Sequence, residues 1–349
     1  MYESLLDFIA CPICDHPFEL KVDKIENKHI MEGELKCPKD HVSYQIDRGI
    51  PRFASDLEDD HTQVKESFRS KWAVQPELYS TLASHFAKDF YFERYNWYDA
   101  EGFDSFVKDK ELILDVGAGV GRILSKHLVK TKGQIISFEL SDSVDFIFQN
   151  HKNNKNVHII QADIFKLPIS RSVKFDYIIA NAVLHHTRST RLALKEIASF
   201  LREDGVIDTY IYRKKSPIRE MADTYLIEHT SAMTEEECWE FSRNITNLGK
   251  ELSKYKEDLE IEKDIPLLGI KKGKYNLQRF IFYNILKCFW NPEVGYDFSL
   301  LVNYDWYRPK YSHRHTLEEI KEWCSEFGLK IKKLNDIPSG YALQLGKST

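Results

Sequence analysis

The segment Glu111–Arg122, ELILDVGAGVGR, restricts the fold of this 349-residue chain more than any other segment. An apolar run leads into three glycines at alternate positions, Gly117, Gly119 and Gly121, and a helical pattern follows. Because glycine has no Cβ, the backbone of such a loop can approach a ligand closely beside the amino terminus of the next helix. The pattern predicts a strand, a ligand-binding loop and a helix, and by itself it would equally suit a nicotinamide-dependent enzyme.

Three more apolar runs follow, and they end in Glu139, Asp163 and Asn181. A fifth run covers residues 205–212. Strands that alternate with helical segments at this spacing are typical of a doubly wound parallel α/β sheet, in which ligands bind at the carboxyl ends of the strands. At that edge, Glu139 could accept hydrogen bonds from both ribose hydroxyls of a nucleoside, and Asp163 could face an adenine amino group.

In combination these motifs resemble the class I S-adenosylmethionine-dependent methyltransferases, with a Rossmann-like sheet, across residues 111–212. The matching features are the Asp115-x-Gly117-x-Gly119-x-Gly121 loop, Glu139, the Asp163-Ile164 pair and the segment from Asn181 to His186. The resemblance implies that S-adenosylmethionine is the cofactor, with its methionine moiety at the glycines, its ribose at Glu139 and its adenine at Asp163. The residues that this resemblance assigns to the cofactor are Asp115, Gly117, Ala118, Gly119, Gly121, Arg122, Glu139, Leu140, Asp163, Ile164 and Asn181.

Half of the six cysteines lie near the start of the chain, at Cys11, Cys14 and Cys37. The first two form a CxxC turn and the third begins a second turn, so a structural Zn²⁺ ion with four protein ligands is predicted. Two residues compete for the fourth position. Asp40 has the CxxC spacing and His41 is one residue further, and His41 is favoured because an imidazole suits a thiolate-rich zinc site better than a carboxylate does.

This N-terminal region resembles the zinc-ribbon domain that activates tRNA and protein methyltransferases and is fused to the front of many bacterial ones. The matching residues are Leu5-Leu6-Asp7, Cys11-Pro12-x-Cys14, Cys37-Pro38 and Gly49-Ile50-Pro51. In the commonest form of this domain Asp40 would be a cysteine, and the Cys-Pro-x-x-His variant is more similar to the bacterial 23S rRNA guanine methyltransferase. Residues 1–50 nevertheless carry six basic against ten acidic side chains, which disfavours RNA binding by this end.

The C-terminal segment has the helix and two strands that complete such a sheet. Thr316 and Glu319 form a capping-box pattern, and Gly328 marks the end of the helix. Residues 213–315 are therefore predicted to be a mainly helical insertion above the carboxyl edge of the sheet. The predicted organisation is a zinc ribbon at 1–54, a linker with a helical cap at 55–110, the cofactor-binding core at 111–212, the insertion at 213–315 and the completion of the core at 316–349.

The insertion is rich in aromatic residues, with twelve among residues 275–311. Its segment 303–315 has no helical period and mixes rings with Asp, Arg and His, as a pocket for a sugar or another polar small molecule would. A charged turn near Arg219 could line the same opening. The predicted acceptor-binding residues are Arg219, Tyr304, Trp306, Tyr307 and His313.

Methyl transfer needs alignment of the acceptor and, where the acceptor carries a proton, a base. His185 and His186 follow the fourth strand beside the expected sulfonium, and His315 could reach it from the insertion; these three are the candidate bases. The predicted function is methylation of a small molecule or saccharide precursor. The alternative is an rRNA or tRNA methyltransferase, and a non-catalytic cofactor-binding subunit is disfavoured because the cofactor motifs are intact.

Charge and hydropathy exclude two further classes. The net charge of −5 argues against a chain-wide basic surface for nucleic acid. No apolar run reaches the roughly 18 residues of a membrane helix, and the acidic start of the chain differs from the basic start of a signal peptide. A cytoplasmic protein without a membrane span is expected.

Overall fold

The computed structural model describes residues 1–54, 59–73 and 91–348. The linker with a helical cap predicted at 55–110 lies partly outside the described residues. No helix in the described ranges is long and apolar enough to cross a membrane.

The N-terminal ribbon is an antiparallel meander that follows a short 3₁₀ turn at Glu3–Asp7. Its strands are β1 (Glu19–Glu26), β2 (His29–Lys36), β3 (Ser43–Asp47) and β4 (Ile50–Arg52). Helix α1 (Asp59–Ala73) follows the ribbon in the sequence.

The core is the predicted doubly wound parallel sheet. Its parallel strands are β5 (Leu112–Val116), β6 (Gln134–Glu139), β7 (Val157–Gln161), β8 (Phe175–Asn181) and β9 (Leu201–Tyr212). The helices that precede or connect them are α2 (Ala100–Lys108), α3 (Arg122–Lys126), α4 (Val144–His151) and α5 (Thr190–Ser199). Strand β5 lies in the centre with β6 and β7 on one side and β8 and β9 on the other, so the strand order reverses at β5 and opens a crevice there.

The insertion folds mainly as helices, as predicted. Its elements are α6 (Pro217–Ala232), α7 (Glu235–Leu252), the hairpin strands β10 (Asp258–Ile261) and β11 (Gly273–Asn276), α8 (Leu277–Asn284) and α9 (Gly295–Tyr307). The chain then returns to the sheet through α10 (Leu317–Glu326), β12 (Leu329–Ile337) and β13 (Gly340–Lys347), and β13 inserts antiparallel between β9 and β12. The capping box predicted at Thr316 is present, because Thr316 and Glu319 exchange backbone-to-side-chain hydrogen bonds of 2.7 and 3.2 Å.

The sequence of the segment 303–315 has no helical period, but part of the segment is helical. Its first five residues form the last turn of α9, and several of them are buried. A helix that buries side chains on several sides has no single polar face, so its sequence lacks an amphipathic period.

The ribbon and the core form one continuous sheet of eleven strands. Strand β4 pairs in parallel with β7, with Arg52 opposite Gln161. The guanidinium of Arg52 donates to Oε1 of Gln161 at 3.0 Å and to Oδ1 of Asp145 at 2.7 Å. Since β7 would otherwise expose an unpaired edge, the ribbon completes the hydrogen bonding of the core. Apolar residues of both units, such as Leu35 and Ile160, share one buried cluster.

Candidate active site

A cavity of about 740 Å³ lies at the carboxyl ends of β5, β6, β7 and β8, under the insertion. The glycine loop, Glu139 and Asp163 line it from the sheet. Helices α1, α8 and α9 line it from the opposite side. Every residue that the sequence assigned to the cofactor lines this cavity except Gly121, which caps α3 and on which a Cβ would lie 3.3 Å from Ile147.

The glycine loop has the left-handed backbone that glycine permits. Gly117 has a φ of +63°, and a Cβ on it would lie 2.6 Å from Cγ2 of Val183. Gly119 has a φ of +60°. A side chain at Gly117 would therefore bring both backbone strain and a steric clash, so the loop depends on glycine at this position.

Glu139 is held at the end of β6 by two backbone amides. Its Oε2 accepts a hydrogen bond from the N–H of Gly119 at 3.0 Å, and its Oε1 accepts one from the N–H of Ser141 at 2.9 Å. Burial raises the pKa of Glu139, and these hydrogen bonds oppose that rise. Because a carboxylate oxygen has two lone pairs, each oxygen can still accept a hydrogen bond from a ribose hydroxyl.

Asp115 lies on β5 just before the glycine loop and is buried. Its Oδ2 accepts a hydrogen bond from Oγ of Ser137 at 2.8 Å. Burial raises the pKa of Asp115 to about 7, and the nearby charge of Glu139 adds to this rise. A neutral or partly ionised carboxyl here would not add a full second negative charge next to Glu139.

Asp163 contacts a residue far from it in sequence, His61 on α1. Its Oδ2 accepts a hydrogen bond from Nδ1 of His61 at 2.6 Å, and its Oδ1 accepts one from the N–H of Phe165 at 2.8 Å. Sequence reasoning missed His61, because a single histidine in a polar connector gives no signal of a partner about a hundred residues later.

Asn181 is likewise held by a residue that the sequence did not indicate. Its Oδ1 accepts a hydrogen bond from Nη1 of Arg94 at 2.8 Å, and the Arg94 guanidinium lies 3.7 Å from the ring centroid of Tyr210. The next residue, Ala182, has a φ of +60°, which is rare for a residue with a side chain. This backbone turns the chain sharply at the edge of the cavity.

His186 lies in the cavity wall, and His185 does not. The Nδ1 atom of His186 donates to the carbonyl of Tyr311 at 2.8 Å, which leaves the lone pair of the neutral ring on Nε2. Burial lowers the pKa of His186 to about 4, so the ring is neutral near pH 7. His185 is completely buried and stacks on Tyr212 at 3.6 Å, with no hydrogen-bond partner for either ring nitrogen among the described residues.

Four side chains of the ribbon form a cluster with the chemistry of a zinc site. The ligand atoms of Cys11, Cys14, Cys37 and Asp40 all lie within 4.8 Å of one another. The two thiols of Cys14 and Cys37 are 3.6 Å apart, and three thiols with one carboxylate are a donor set that Zn²⁺ accepts.

The favoured fourth ligand, His41, is not a member of this cluster, and the structure has Asp40 there instead. Asp40 closes the CxxC-type turn, because its N–H donates to Sγ of Cys37 at 3.4 Å. His41 comes one residue later, has a φ of +59° and is exposed. The geometry of the turn therefore places Asp40, and not His41, beside the three thiols.

Two family models match separate parts of the chain. A model described as "Methyltransferase domain" matches residues 107–267, and one described as "Trm112p-like protein" matches residues 3–49. The chain carries a methyltransferase domain behind a Trm112p-like domain. The cysteine cluster lies in the Trm112p-like domain and the cavity is formed largely by the methyltransferase domain.

The curated relatives of this chain are distant. A tRNA U34 carboxymethyltransferase of Campylobacter fetus subsp. fetus is 27% identical over 139 residues, which cover 36% of this chain and 49% of that protein. The N-methyltransferase 4 of Papaver somniferum is 27% identical over 111 residues, 30% of each chain. The chain thus matches about half or less of the length of these relatives.

Solved structures match this chain at low identity and with TM-scores below 0.5. A complex of DhpI with SAH has a TM-score of 0.44 and 10% identity, covering 84% of this chain and 98% of that one. A 1,6-didemethyltoxoflavin-N1-methyltransferase of Burkholderia thailandensis has a TM-score of 0.43 and 9% identity, covering 94% of this chain and all of that one. Similarity at this level carries no information about the acceptor.

Only some of the acceptor-binding residues predicted in the insertion line the cavity. Arg219 and Trp306 line the cavity. Tyr304 instead stacks on Trp239 at 3.7 Å, and the hydroxyl of Tyr307 donates to the carbonyl of Lys287 at 2.8 Å. Neighbouring positions on a helix point about 100° apart, so Trp306 faces the cavity while the two tyrosines hold α9 in place.

The two histidines predicted from the insertion do not line the cavity either. Nε2 of His315 lies 2.8 Å from Oγ1 of Thr190, and His313 stacks on Tyr311. The structure thus brings one of the three candidate bases, His186, to the cavity. It also places there several residues that the sequence analysis did not select: Lys71, Tyr212, Lys215, Arg279, Lys287 and Asp305.

Proposed function

We propose that this chain is an enzyme that transfers the methyl group of S-adenosylmethionine to a small molecule or saccharide precursor. The observation that carries this proposal is a single cavity that joins the glycine loop and Glu139 to an aromatic chamber under the insertion, with His186 in its wall. A chamber of this kind suits a small acceptor better than a long polymer, because aromatic walls with a few polar groups bind small polar molecules.

The residues at the sheet fit the cofactor. The backbone of Gly117 and Gly119 would contact its methionine moiety, Glu139 its ribose, and Asp163, oriented by His61, its adenine. When bound, S-adenosylmethionine supplies an electrophilic methyl group on a positively charged sulfur.

The chain's own contribution to the reaction is alignment and proton removal. The rings of Tyr212 and Trp306, whose centroids are 4.9 Å apart, would orient the acceptor. Nε2 of His186 would accept the proton that the attacking atom loses, since the hydrogen bond to Tyr311 fixes the ring with that nitrogen unprotonated. A small acceptor bound between these rings would be held in line with the methyl group.

Zn²⁺ is proposed to stabilise the Trm112p-like domain without taking part in the chemistry. Cys11, Cys14, Cys37 and Asp40 supply four protein ligands, which leaves no open coordination position on a tetrahedral ion. The sheet pairing between β4 and β7 would transmit that stability to the core.

An RNA acceptor is the second candidate. The names of two relatives support this candidate. One is the tRNA U34 carboxymethyltransferase described above. The other is a ribosomal RNA small subunit methyltransferase A of Mycoplasma capricolum subsp. capricolum, which is 29% identical to this chain over 96 residues. The acidic character of the ribbon opposes it.

Incubation with S-adenosylmethionine labelled in its methyl group separates the two candidates. The purified protein is offered the small-molecule fraction of a cell extract and, separately, total RNA. We expect the label in the small-molecule fraction, with none transferred by a Gly117→Val variant. Label in RNA alone would contradict the small-acceptor proposal, and label in neither fraction, together with no cofactor binding, would contradict the enzymatic proposal itself.

A further inference from the structure

The acceptor end of the cavity has an excess of cations. Helix α1 and the insertion together line the cavity with five cationic side chains, Lys71, Lys215, Arg219, Arg279 and Lys287, against one carboxylate, Asp305. The composition of the insertion does not reveal this excess, because residues 206–282 carry 13 basic and 14 acidic side chains. In the folded chain these cationic side chains line the cavity.

Two of these cations are already neutralised by carboxylates. Nζ of Lys71 lies 2.6 Å from Oδ1 of Asp305. Nε of Arg219 donates to both oxygens of Asp223 at 2.8 and 2.9 Å, and its Nη1 donates to the carbonyl of Phe282. Arg219, predicted to bind the acceptor, is therefore largely occupied in fixing α8 next to α6.

Lys287 is different, because its ammonium has no hydrogen-bond or ion-pair partner in the described part of the chain. The side chain is 8% exposed, and its Nζ lies 4.1 Å from the ring centroid of Trp306 and 5.8 Å from that of Phe282. An ammonium that faces a cavity without a hydrogen-bond acceptor from the protein is poorly solvated, and an anion in the cavity can supply the missing partner. Burial, and then the charge of Arg219, lower the pKa of Lys287 to about 7, and a bound anion would reverse that shift.

A second uncompensated cation is close to the same ring. The guanidinium carbon of Arg279 lies 6.0 Å from the centroid of Phe282, and its guanidinium forms no ion pair or hydrogen bond with the described residues. Arg279 and Lys287 therefore each lie within about 6 Å of the ring of Phe282, and both line the cavity. Lysine and arginine in combination are a common recognition pair for phosphate groups.

This pair of cations is linked to the reaction centre by a path of rings. His186 lies 5.5 Å from Tyr212, Tyr212 lies 4.9 Å from Trp306, and Trp306 lies 4.1 Å from the ammonium of Lys287. A molecule that spans this path would have its reactive atom at His186, its apolar face on the rings and a negative group at the far end.

We infer that the acceptor is a phosphorylated small molecule whose phosphate binds between Lys287 and Arg279. This inference rests on the proposed methyl transfer and specifies the substrate class of the same cavity. A carboxylate would match one cation, whereas a phosphate, with more than one negative charge near neutral pH, matches both.

Inorganic phosphate is the probe. Its binding to the full chain is measured by calorimetry at constant ionic strength, with acetate as the carboxylate probe and S-adenosylmethionine in a parallel titration. Phosphate is expected to bind more tightly than acetate. Lys287→Met and Arg279→Met should each weaken phosphate binding at least tenfold, while Lys272→Met, which removes an exposed lysine of the insertion, should not change it.

The variants should keep their fold and their cofactor. Lys287→Met removes a buried charge, so its melting temperature should be equal to or higher than that of the wild type, and its affinity for S-adenosylmethionine should stay within about twofold. Equal phosphate binding by the wild type and Lys287→Met, or equal affinity for acetate and phosphate, would overturn the inference.

Two further results separate the possible failures. Displacement of phosphate by tRNA at physiological salt would assign the cations to a nucleic acid and would also overturn the inference. Failure of the wild type to bind S-adenosylmethionine would refute the proposed function, whereas cofactor binding without phosphate binding would refute only the phosphorylated acceptor.

Discussion

Nδ1 of His61 donates to Oδ2 of Asp163 across a distance of 2.6 Å, which joins α1 to the end of the third parallel strand. Both side chains are nearly buried, at 9% and 8% exposure. The residue predicted to face the adenine is thus oriented by a helix between the ribbon and the core.

This contact predicts a graded effect of substitution at His61. His61→Leu should weaken S-adenosylmethionine binding by roughly tenfold. The substitution removes one hydrogen bond to a charged group, which contributes about 1.5–3 kcal/mol. Only part of this loss should affect cofactor binding, because His61 acts by orienting Asp163. His61→Asn, whose amide can replace Nδ1, should retain most of the affinity. Calorimetry with the exposed His229→Leu as control provides the measurement, and equal affinity of His61→Leu and the wild type would contradict this role.

Glu139 should be the side chain on which cofactor affinity depends most. Glu139→Ala removes the acceptor for the amides of Gly119 and Ser141 as well as for the ribose hydroxyls, so affinity should fall by at least tenfold. Glu322→Gln, an exposed change on α10, should leave affinity unchanged. A wild-type dissociation constant for Glu139→Ala in the same titration would refute the ribose assignment.

His186 should affect turnover more than binding. His186→Asn keeps an amide that can donate to the carbonyl of Tyr311 but lacks the basic Nε2. We expect kcat to fall about 10²-fold, the low end of the usual range for a general base, because a ring with a pKa of about 4 is a weak base; cofactor affinity should be retained. A His185→Gln variant should not reproduce this effect, because His185 does not line the cavity. An unchanged kcat in His186→Asn would exclude proton removal by this ring.

The metal cluster predicts opposite outcomes for two adjacent residues. Asp40→Ala should lower the zinc content and the melting temperature, because the carboxylate belongs to the four-ligand cluster. His41→Ala should change neither quantity, since His41 is exposed and outside the cluster. Elemental analysis and thermal unfolding of both variants decide between the two residues, and the reverse pattern would restore His41 as the ligand.

A pH dependence of stability follows from Asp208 on β9. This completely buried carboxyl accepts hydrogen bonds from the hydroxyl of Tyr177 at 2.9 Å and from Nε2 of Gln344 at 3.2 Å, and burial raises its pKa from 3.8 to about 7. A raised carboxyl pKa means that the folded state holds a proton that the unfolded state releases. The contribution of the protonated Asp208 to the free energy of unfolding is therefore fully present below pH 3.8 and is lost as the pH rises toward 7.

Asp208→Asn should remove this pH dependence. The amide stays neutral, so the variant should unfold at a higher temperature than the wild type at pH 8, and this advantage should shrink as the pH falls toward 5. Glu203→Gln, an exposed change on the same strand, serves as the control. A constant difference between variant and wild type across this range would show that Asp208 is not protonated on folding.

Local sequence patterns accounted for the parts of this protein that depend on local chemistry. Gly117 and Gly119 predicted the loop because their backbone angles require glycine, and Thr316 with Glu319 predicted the start of a helix because the capping box is formed within four residues. The position of Glu139 at the end of an apolar run predicted its place in the cavity, because parallel strands end at a common edge.

Tertiary structure decided the contacts between distant segments. The partner of Asp163 is His61, the side chain of α9 that faces the cavity is Trp306 and not Tyr304, and Lys287 is among the lysines that line the cavity. None of these follows from spacing, because each depends on how elements far apart in the chain pack against one another. The sequence by itself determined the class of fold and the position of the cofactor loop, and only the tertiary structure decided which side chains face the acceptor.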